Sequence, residues 1–434
     1  MLYYVENFGA VGNGITDDGD AIQKAIDSCA KSGGGSVVLS SGKPYYSHSI
    51  SMKPNVDLHF EKNAVLKASK DIDSYIRPCE TINNPETALI GNPVTGKPSF
   101  AFIYGFEADN CSVSGEGIID LNGESFVKRK SRYYVTGDFY PRPTGIYIEK
   151  SDHITFRDFT VKNASFWTLH PAGCDDVLIS NIRILNPLDT ANSDGIDPDH
   201  SSNVRILGCH IECADDCICL KTTKGNSEYG PTENVIISDC TLISTSAAIK
   251  IGTEGVGDFK NIDIHDCIIT RSNRGLSIQI RDGGNVENVS FSNIIIETRR
   301  FSEDWWGTAE PIAVTCFNRD ENTKAGKIRN LRFFNITCKG ENGILLFATE
   351  QNPIENVLFD NVSVSLKKTT EWAKGLYDLR PCLDYSVEKY KNSPVFMRRA
   401  NNVTFRNCTF RVDETCPDYG EETNIKSCEN TVFE

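Results

Sequence analysis

Apolar residues recur along this chain in short alternating runs, and the runs themselves recur. The unit is Asn, an aliphatic residue, any residue, then Ile or Phe. It appears as Asn203-Val204-Arg205-Ile206, Asn234-Val235-Ile236-Ile237, Asn261-Ile262-Asp263-Ile264, Asn288-Val289-Ser290-Phe291, Asn330-Leu331-Arg332-Phe333, Asn356-Val357-Leu358-Phe359 and Asn402-Val403-Thr404-Phe405, with variants at Ile154 and Val177. The aliphatic anchors at 154, 177, 204, 235, 262, 289, 331, 357 and 403 are 23, 27, 31, 27, 27, 42, 26 and 46 residues apart. Each unit holds period-2 runs broken by Gly, Asn and Asp, which read as strands joined by tight turns. A steady period of this size marks a solenoid. There is no Leu-x-x-Leu-x-Leu pattern and no four-strand blade with a closing Trp motif. The pattern therefore predicts an all-β, single-domain, right-handed parallel β-helix, with one coil per repeat and two insertions. A second register places another strand in successive coils: Gly195-Ile196, Cys217-Ile218, Ala248-Ile249, Gly275-Leu276, Pro311-Ile312 and Gly343-Ile344.

Residues 20–31 form the one predicted helix, with Ala21, Ile22, Ala25, Ile26 and Cys29 on one face and Asp20 as its cap. It is expected to close the N-terminal end of the solenoid, which would otherwise expose unpaired strand edges. The organisation expected is a cap and first coils over 1–70, catalytic coils over 145–300, and C-terminal coils with insertions over 301–434. Gly33-Gly34-Gly35 reads as a turn, because no Gly-Lys-Ser/Thr follows as a phosphate loop requires. Asn163, Asn288, Asn335, Asn361, Asn402 and Asn407 lie in Asn-x-Ser/Thr triplets, mostly at the repeated turn, and read as turn residues rather than glycosylation acceptors.

Composition narrows the class. The chain has 434 residues, 39% of them hydrophobic, and 45 Lys+Arg against 59 Asp+Glu give a net charge of −14. That balance argues against a nucleic-acid partner, which needs clustered cations on its phosphates. No run approaches the ~20 apolar residues of a membrane span. Among the 16 cysteines, Cys209, Cys240, Cys267, Cys338 and Cys408 sit at the start of or within apolar runs, as small core residues of one repeated position. A zinc site at Cys213, Cys217 and Cys219 lacks a second paired cluster. Reduced thiols, and an N-terminus without the basic start and apolar core of a secretion leader, favour a cytoplasmic location; a secreted chain trimmed of its leader reads the same way.

The residue before each small-plus-apolar pair defines a column: Asp194, Asp216, Ala247, Arg274, Glu310 and Asn342. Asp194 and Asp216 are thus expected on adjacent coils, with Asp197 and Asp215 close by. Crowded carboxylates shift one another's pKa, so one can stay protonated while its neighbour acts as a base. A row of turn aspartates and a calcium site remain alternatives on these residues alone. Further along the same register lie Asp199, Lys221, Gly252 and Gln279, then Ser201, Thr223, Glu254 and Arg281. Glu254 and Arg281 are expected to face one another, with Lys221 and Lys250 near the acidic patch, where they would draw in an anionic sugar.

With these residues in place, the chain resembles glycoside hydrolase family 28, the polygalacturonases. The resemblance runs from Asn7-Phe8-Gly9-Ala10-Val11-Gly12-Asn13-Gly14 and Gly33-Gly34-Gly35-Ser36-Val37, through Ser114-Gly115-Glu116-Gly117-Ile118-Ile119-Asp120, to about residue 300. Its most specific parts are Asn192-Ser193-Asp194-Gly195-Ile196-Asp197 and Ala214-Asp215-Asp216-Cys217. It implies an inverting hydrolase in which Asp215 is the general acid, Asp194 and Asp216 are the bases and Asp197 supports them or binds substrate. No cofactor or metal is implied; the partner is an acidic oligosaccharide or polysaccharide. Two departures matter. The family's Gly-His-Gly is Gly252-Thr253-Glu254-Gly255 here, and its Arg-Ile-Lys falls on Ser277-Ile278-Gln279, so the clamp on a galacturonate carboxylate is lost. Either Arg274, Arg281 and Lys250 take over that carboxylate, or the leaving sugar is not galacturonate. Trp305-Trp306-Gly307, in the insertion after Val289, reads as a stacking wall for a sugar or as a structural cap. The stretch Tyr133-Tyr134 to Phe139-Tyr140 would close one end of a groove, which suits exo action on short chains. A calcium-dependent lyase and a non-catalytic carbohydrate-binding solenoid are the rival readings.

Overall fold

The computed structural model describes residues 1–78, 96–127, 141–414, 416 and 418–434; the Tyr133 to Tyr140 stretch lies outside them. The described chain forms two compact units, Met1–Ala214 with Glu228–Gly230, and Asp215–Ser227 with Pro231–Glu434. Each is a stack of parallel strands. The register repeats coil by coil, and the residues of one column fill one layer of core.

In the N-terminal unit, Val37, Leu58, Val113, Phe156, Ile179 and Ile206 align across successive strands and are all buried. In the C-terminal unit the corresponding column is Ile237, Ile264, Phe291, Phe333, Phe359, Phe405 and Phe433. Its phenyl rings stack with centroids 4.6 to 4.8 Å apart, matching the ordinary spacing of paired strands. This matches the Ile or Phe that ends each repeat from Asn203 onward.

The Asn of the repeat has its own physical reason. Asn234, Asn261, Asn288, Asn330, Asn356 and Asn402 all have φ between 54 and 59°, the left-handed region that Asn occupies more readily than most residues. Their amides form a ladder, each Nδ2 donating to the Oδ1 of the coil before at 3.1 to 3.4 Å, extended to Asn430 at 3.0 Å. The six triplet asparagines share this turn geometry, with φ from 51 to 60°.

The helix spans Gly19–Lys31, and the expected apolar face is the buried one: Ala21, Ile22, Ala25, Ile26 and Cys29. It packs on strands Gly35–Leu39 and Val56–Phe60. Asp20 is not its cap. It lies in the exposed first turn, while Asp17 accepts from the Gly19 N–H at 2.9 Å and Asp18 turns back to the N–H groups of Val11 and Gly12 at 2.7 and 3.1 Å. Gly34 needs its missing Cβ, which would meet the Asn55 carbonyl at 2.4 Å. The described cysteines are thiols; Cys209, Cys240, Cys267 and Cys338 are buried and Cys408 half-buried.

A second sheet of the C-terminal unit carries Ile218–Thr222, Ala247–Gly255, Arg274–Ile280, Ile312–Cys316, Ile344–Ala348, Val395–Arg398 and Thr423–Lys426, in that order. Leu220, Ile251, Ile278, Val314, Leu346, Met397 and Ile425 form its inward column. Its outer face is covered over the later strands by the insertion 367–394. Tyr377 and Leu379 of the insertion are fully buried against Ala313, Phe317, Leu345, Phe347 and Phe396. A short antiparallel ribbon, Leu376–Asp378 with Val387–Lys389, stiffens it.

Candidate active site

In the N-terminal unit, Asp194 and Asp197 follow the strand Leu169–Ala172 in parallel register, through Thr168 N–H to the Asp194 carbonyl and Asp197 N–H to the Leu169 carbonyl at 3.0 and 2.8 Å. Both side chains are buried. Ile196 pairs with Leu169 in the core, so Asp197 and Asp199 project to the opposite face. There they join residues that sequence reasoning missed. His170 Nε2 lies 3.2 Å from Asp199 Oδ2, both fully buried. Tyr104, Tyr147 and His170 form one outer column across three strands, with ring centroids 5.9 and 4.8 Å apart. Glu149 receives the Tyr229 hydroxyl at 2.9 Å and the Lys97 ammonium at 3.0 Å. The signal was present: Ile146-Tyr147-Ile148 alternates, with an aromatic at the outward position.

In the C-terminal unit, Asp215 and Asp216 precede strand Ile218–Thr222. The Asp215 carbonyl accepts from Ser244 Oγ at 2.5 Å. The Asp216 carboxylate accepts from Ser246 Oγ at 3.1 Å, the Ala247 N–H at 3.3 Å and Lys250 Nζ at 2.5 Å. Burial alone would depress the Lys250 ammonium, but the Asp216 carboxylate raises it well above the usual lysine value. Lys250 is therefore committed to Asp216. The expected column Asp216, Ala247, Arg274, Glu310 holds, through Cys217 N–H to the Ala247 carbonyl, Ala247 opposite Arg274, and Gly275 N–H to the Glu310 carbonyl.

Beyond Leu220 the register slips. Leu220 pairs with Ile251, but Thr222 pairs with Gly255, so Lys221 faces a bulge formed by 252–254. Glu254 consequently meets Lys221 at 3.6 Å and Arg319 at 3.8 Å. Burial raises the Glu254 carboxyl, but Lys221, Arg319 and Lys250 together hold it below the usual glutamate value. Arg319, which pairs with Asp282 at 2.9 Å, was not anticipated. Gln279 is buried opposite Gly252 and Thr315.

The expected Glu254–Arg281 pair does not form. Arg281 is fully buried and donates to the carbonyls of Ile280, Thr315, Leu379 and Pro381. Arg274 is also engaged, with Glu310 at 3.2 Å and the Asp378 carbonyl at 2.6 Å. Both arginines lie under the insertion and hold its backbone instead of facing a groove as substrate ligands. Arg380 of the insertion sits 5.2 Å over the Trp306 ring and donates to the Trp305 carbonyl at 3.3 Å. The half-buried tryptophans thus flank the insertion, their rings 5.8 Å apart.

Two adjacent aspartates, a lysine committed to one of them and a buried polar rim thus lie together at one face of a stacked-coil sheet. The chain belongs to glycosyl hydrolases family 28, whose model matches residues 91–377. Among curated relatives, a probable polygalacturonase of Vitis vinifera is 32% identical over 263 residues, covering 58% of this chain and 51% of that protein. An endo-xylogalacturonan hydrolase A of Aspergillus tubingensis is 26% identical over 254 residues, covering 57% and 54%. The chain spans about half the length of the curated relatives it matches. Of solved structures, a hyperthermoactive exopolygalacturonase from Thermotoga maritima matches with a TM-score of 0.72 at 20% identity, over 85% of this chain and 88% of that one. A family 28 exopolygalacturonase of Yersinia enterocolitica gives 0.66 at 15% identity, over 99% and 78%. At such identities the likeness shows the fold, a right-handed parallel β-helix.

Proposed function

We propose that the protein is an inverting glycoside hydrolase that acts from the end of acidic pectic oligosaccharides. The observation that carries this reading is the Asp215-Asp216 pair at the head of a sheet whose outer face is polar over its first strands and covered by the insertion 367–394 over the later ones. In the proposed step, the Asp215 carboxylic acid gives its proton to the glycosidic oxygen as the bond to the anomeric carbon breaks. Asp194 and Asp216 take a proton from the water whose oxygen attacks that carbon from the opposite face. The released sugars carry the hydroxyls so formed, and the proton count balances. Asp197 serves these carboxylates or the substrate, and Trp305 and Trp306 offer a stacking edge.

The cations point to the sugar beyond the scissile bond. Gln279 stands where the family has Lys. Arg274 and Arg281 are spent on the insertion, and Lys250 on Asp216. A galacturonate carboxylate there would find no uncommitted partner among these residues, so the reading favours a neutral sugar at this place, as in rhamnogalacturonan-type oligomers. The calcium-dependent lyase reading loses weight because both Asp216 oxygens already accept, Oδ2 from Lys250 and Oδ1 from Ser246 and the Ala247 N–H.

The test is a panel of galacturonate and rhamnose–galacturonate oligomers followed by mass spectrometry and early-time proton NMR. Saturated products of inverted anomeric configuration are expected, unaffected by chelator. Asp215→Asn is expected to lower kcat by about 100- to 10,000-fold with an unchanged melting temperature. Full activity of that variant, or an unsaturated product, would contradict the assignment.

A further inference from the structure

A cleft of about 480 Å³ opens at the C-terminal ends of strands Val286–Thr298, Ile328–Gly340 and Ile354–Leu366 of the C-terminal unit. That volume is within the range of small-molecule sites. These strands belong to the sheet that does not carry Asp215 and Asp216, so the cleft uses none of the residues assigned to hydrolysis. Four cations line it, Arg271, Arg299, Lys339 and Lys367, against two carboxylates, Glu297 and Asp413. Four minus two leaves a local charge of +2 on a chain whose net charge is −14. Lys367 pairs with Asp413 at 3.6 Å, and Glu297 stands opposite Lys339 on the neighbouring strand. The guanidinium of Arg299 rests 4.5 Å over the Phe301 ring, which fixes its direction.

One wall is preorganised. Buried Glu341 accepts from Thr369 N–H at 3.0 Å, Thr370 Oγ1 at 2.9 Å and Lys368 Nζ at 2.9 Å, holding the root of the insertion against the strand ends. We infer that this cleft is a second, non-catalytic binding site for a carboxylated oligosaccharide. Arginine forks and a lysine ammonium take carboxylates, while Glu297 and Asp413 accept sugar hydroxyls. The same two carboxylates disfavour a densely charged phosphate chain, which an acidic protein already repels. The choice of a pectic ligand rests on the function proposed above; the charge and shape of the cleft do not.

The experiment titrates a rhamnose–galacturonate hexamer into the Asp215→Asn protein by calorimetry, with and without Arg299→Ala/Lys339→Ala, two exposed positions that need not disturb folding. Two equivalents are expected in the first protein, one of them weakened steeply by salt, and one equivalent after the double substitution. The hexamer with its carboxyls reduced to alcohols is expected to bind only once. In otherwise wild-type protein the double substitution is expected to leave hydrolysis of short oligomers unchanged. Equal stoichiometry with and without the substitutions, or two equivalents of the reduced hexamer, overturns the inference. Failure of the wild-type protein to hydrolyse any oligomer, with the salt-sensitive equivalent still lost in the double variant, refutes the proposed activity and leaves this site standing.

Discussion

One sheet of the C-terminal unit has two outer surfaces of opposite character along a single run of parallel strands. The outward column begins Cys219, Lys250, Ser277 and continues Ala313, Leu345, Phe396. Its neighbour runs Gly252, Gln279, then Thr315 and Phe347. The inward column from Leu220 to Ile425 stays apolar throughout, so the core cannot explain the change. What differs is the cover. Over the later strands, Tyr377 and Leu379 lie on the face, and the backbone carbonyls of Leu376, Asp378 and Leu379 are tied down by Asn342, Arg274 and Arg281. Over the earlier strands the outward Lys250 and Lys221 are held in ion pairs with Asp216 and Glu254 instead. The same scaffold thus offers a polar face and a covered one, and the arginines expected to bind substrate hold the cover in place.

Removing the cover is expected to have the largest effect on this contrast. Tyr377→Ala should cost about 3–5 kcal/mol, the range for deleting a buried aromatic ring, read as a lower midpoint in chemical denaturation. An unchanged midpoint would mean that the insertion is not packed as described. On the open side, Lys250→Met leaves the buried Asp216 carboxylate without its cation, and about 3 kcal/mol of destabilisation is expected together with a loss of kcat. A stable, active variant would show that the pair is dispensable. The boundary should also respond to acid. Burial raises the Asp378 carboxyl, but Arg380 and Arg274 hold it below the usual aspartate value. Its contribution is therefore complete above the unfolded value of about 4 and is lost as pH falls through the lower folded value. Protease cleavage within 367–394 should rise in that acid window, and Asp378→Asn should abolish the pH dependence of cleavage. The smallest effect is expected from Gln279→Lys, which restores the family's cation: kcat/KM on galacturonate oligomers should rise about tenfold relative to rhamnose–galacturonate ones, equivalent to about 1.4 kcal/mol. No change in that ratio would separate Gln279 from sugar selection.

The solenoid was legible because its physics is periodic: left-handed turns select Asn, and each stacked column selects one kind of side chain. The aspartates stood out for the same reason, as two successive carboxylates in a column that continues Ala247, Arg274, Glu310 and Asn342. The fates of Arg274 and Arg281 were not legible, because they depend on Asp378, Leu379 and Pro381, about 100 residues away in an insertion with no repeat to register it. The bulge at 252–254 had a similar effect on a smaller scale, turning Glu254 from Arg281 toward Lys221 and Arg319. One clue was overlooked. Ala313, Leu345, Phe347 and Phe396 are apolar at outward positions where an uncovered sheet would be polar, and they announced a cover before the structure located it.

We propose that the polar surface ends at the insertion and that a substrate chain therefore enters by its end. The most direct test is the product profile from a long rhamnogalacturonan or homogalacturonan substrate, sampled from the first seconds. A single short product is expected from the outset, with reducing ends accumulating while viscosity barely falls. An early ladder of intermediate oligomers with rapid loss of viscosity would contradict it.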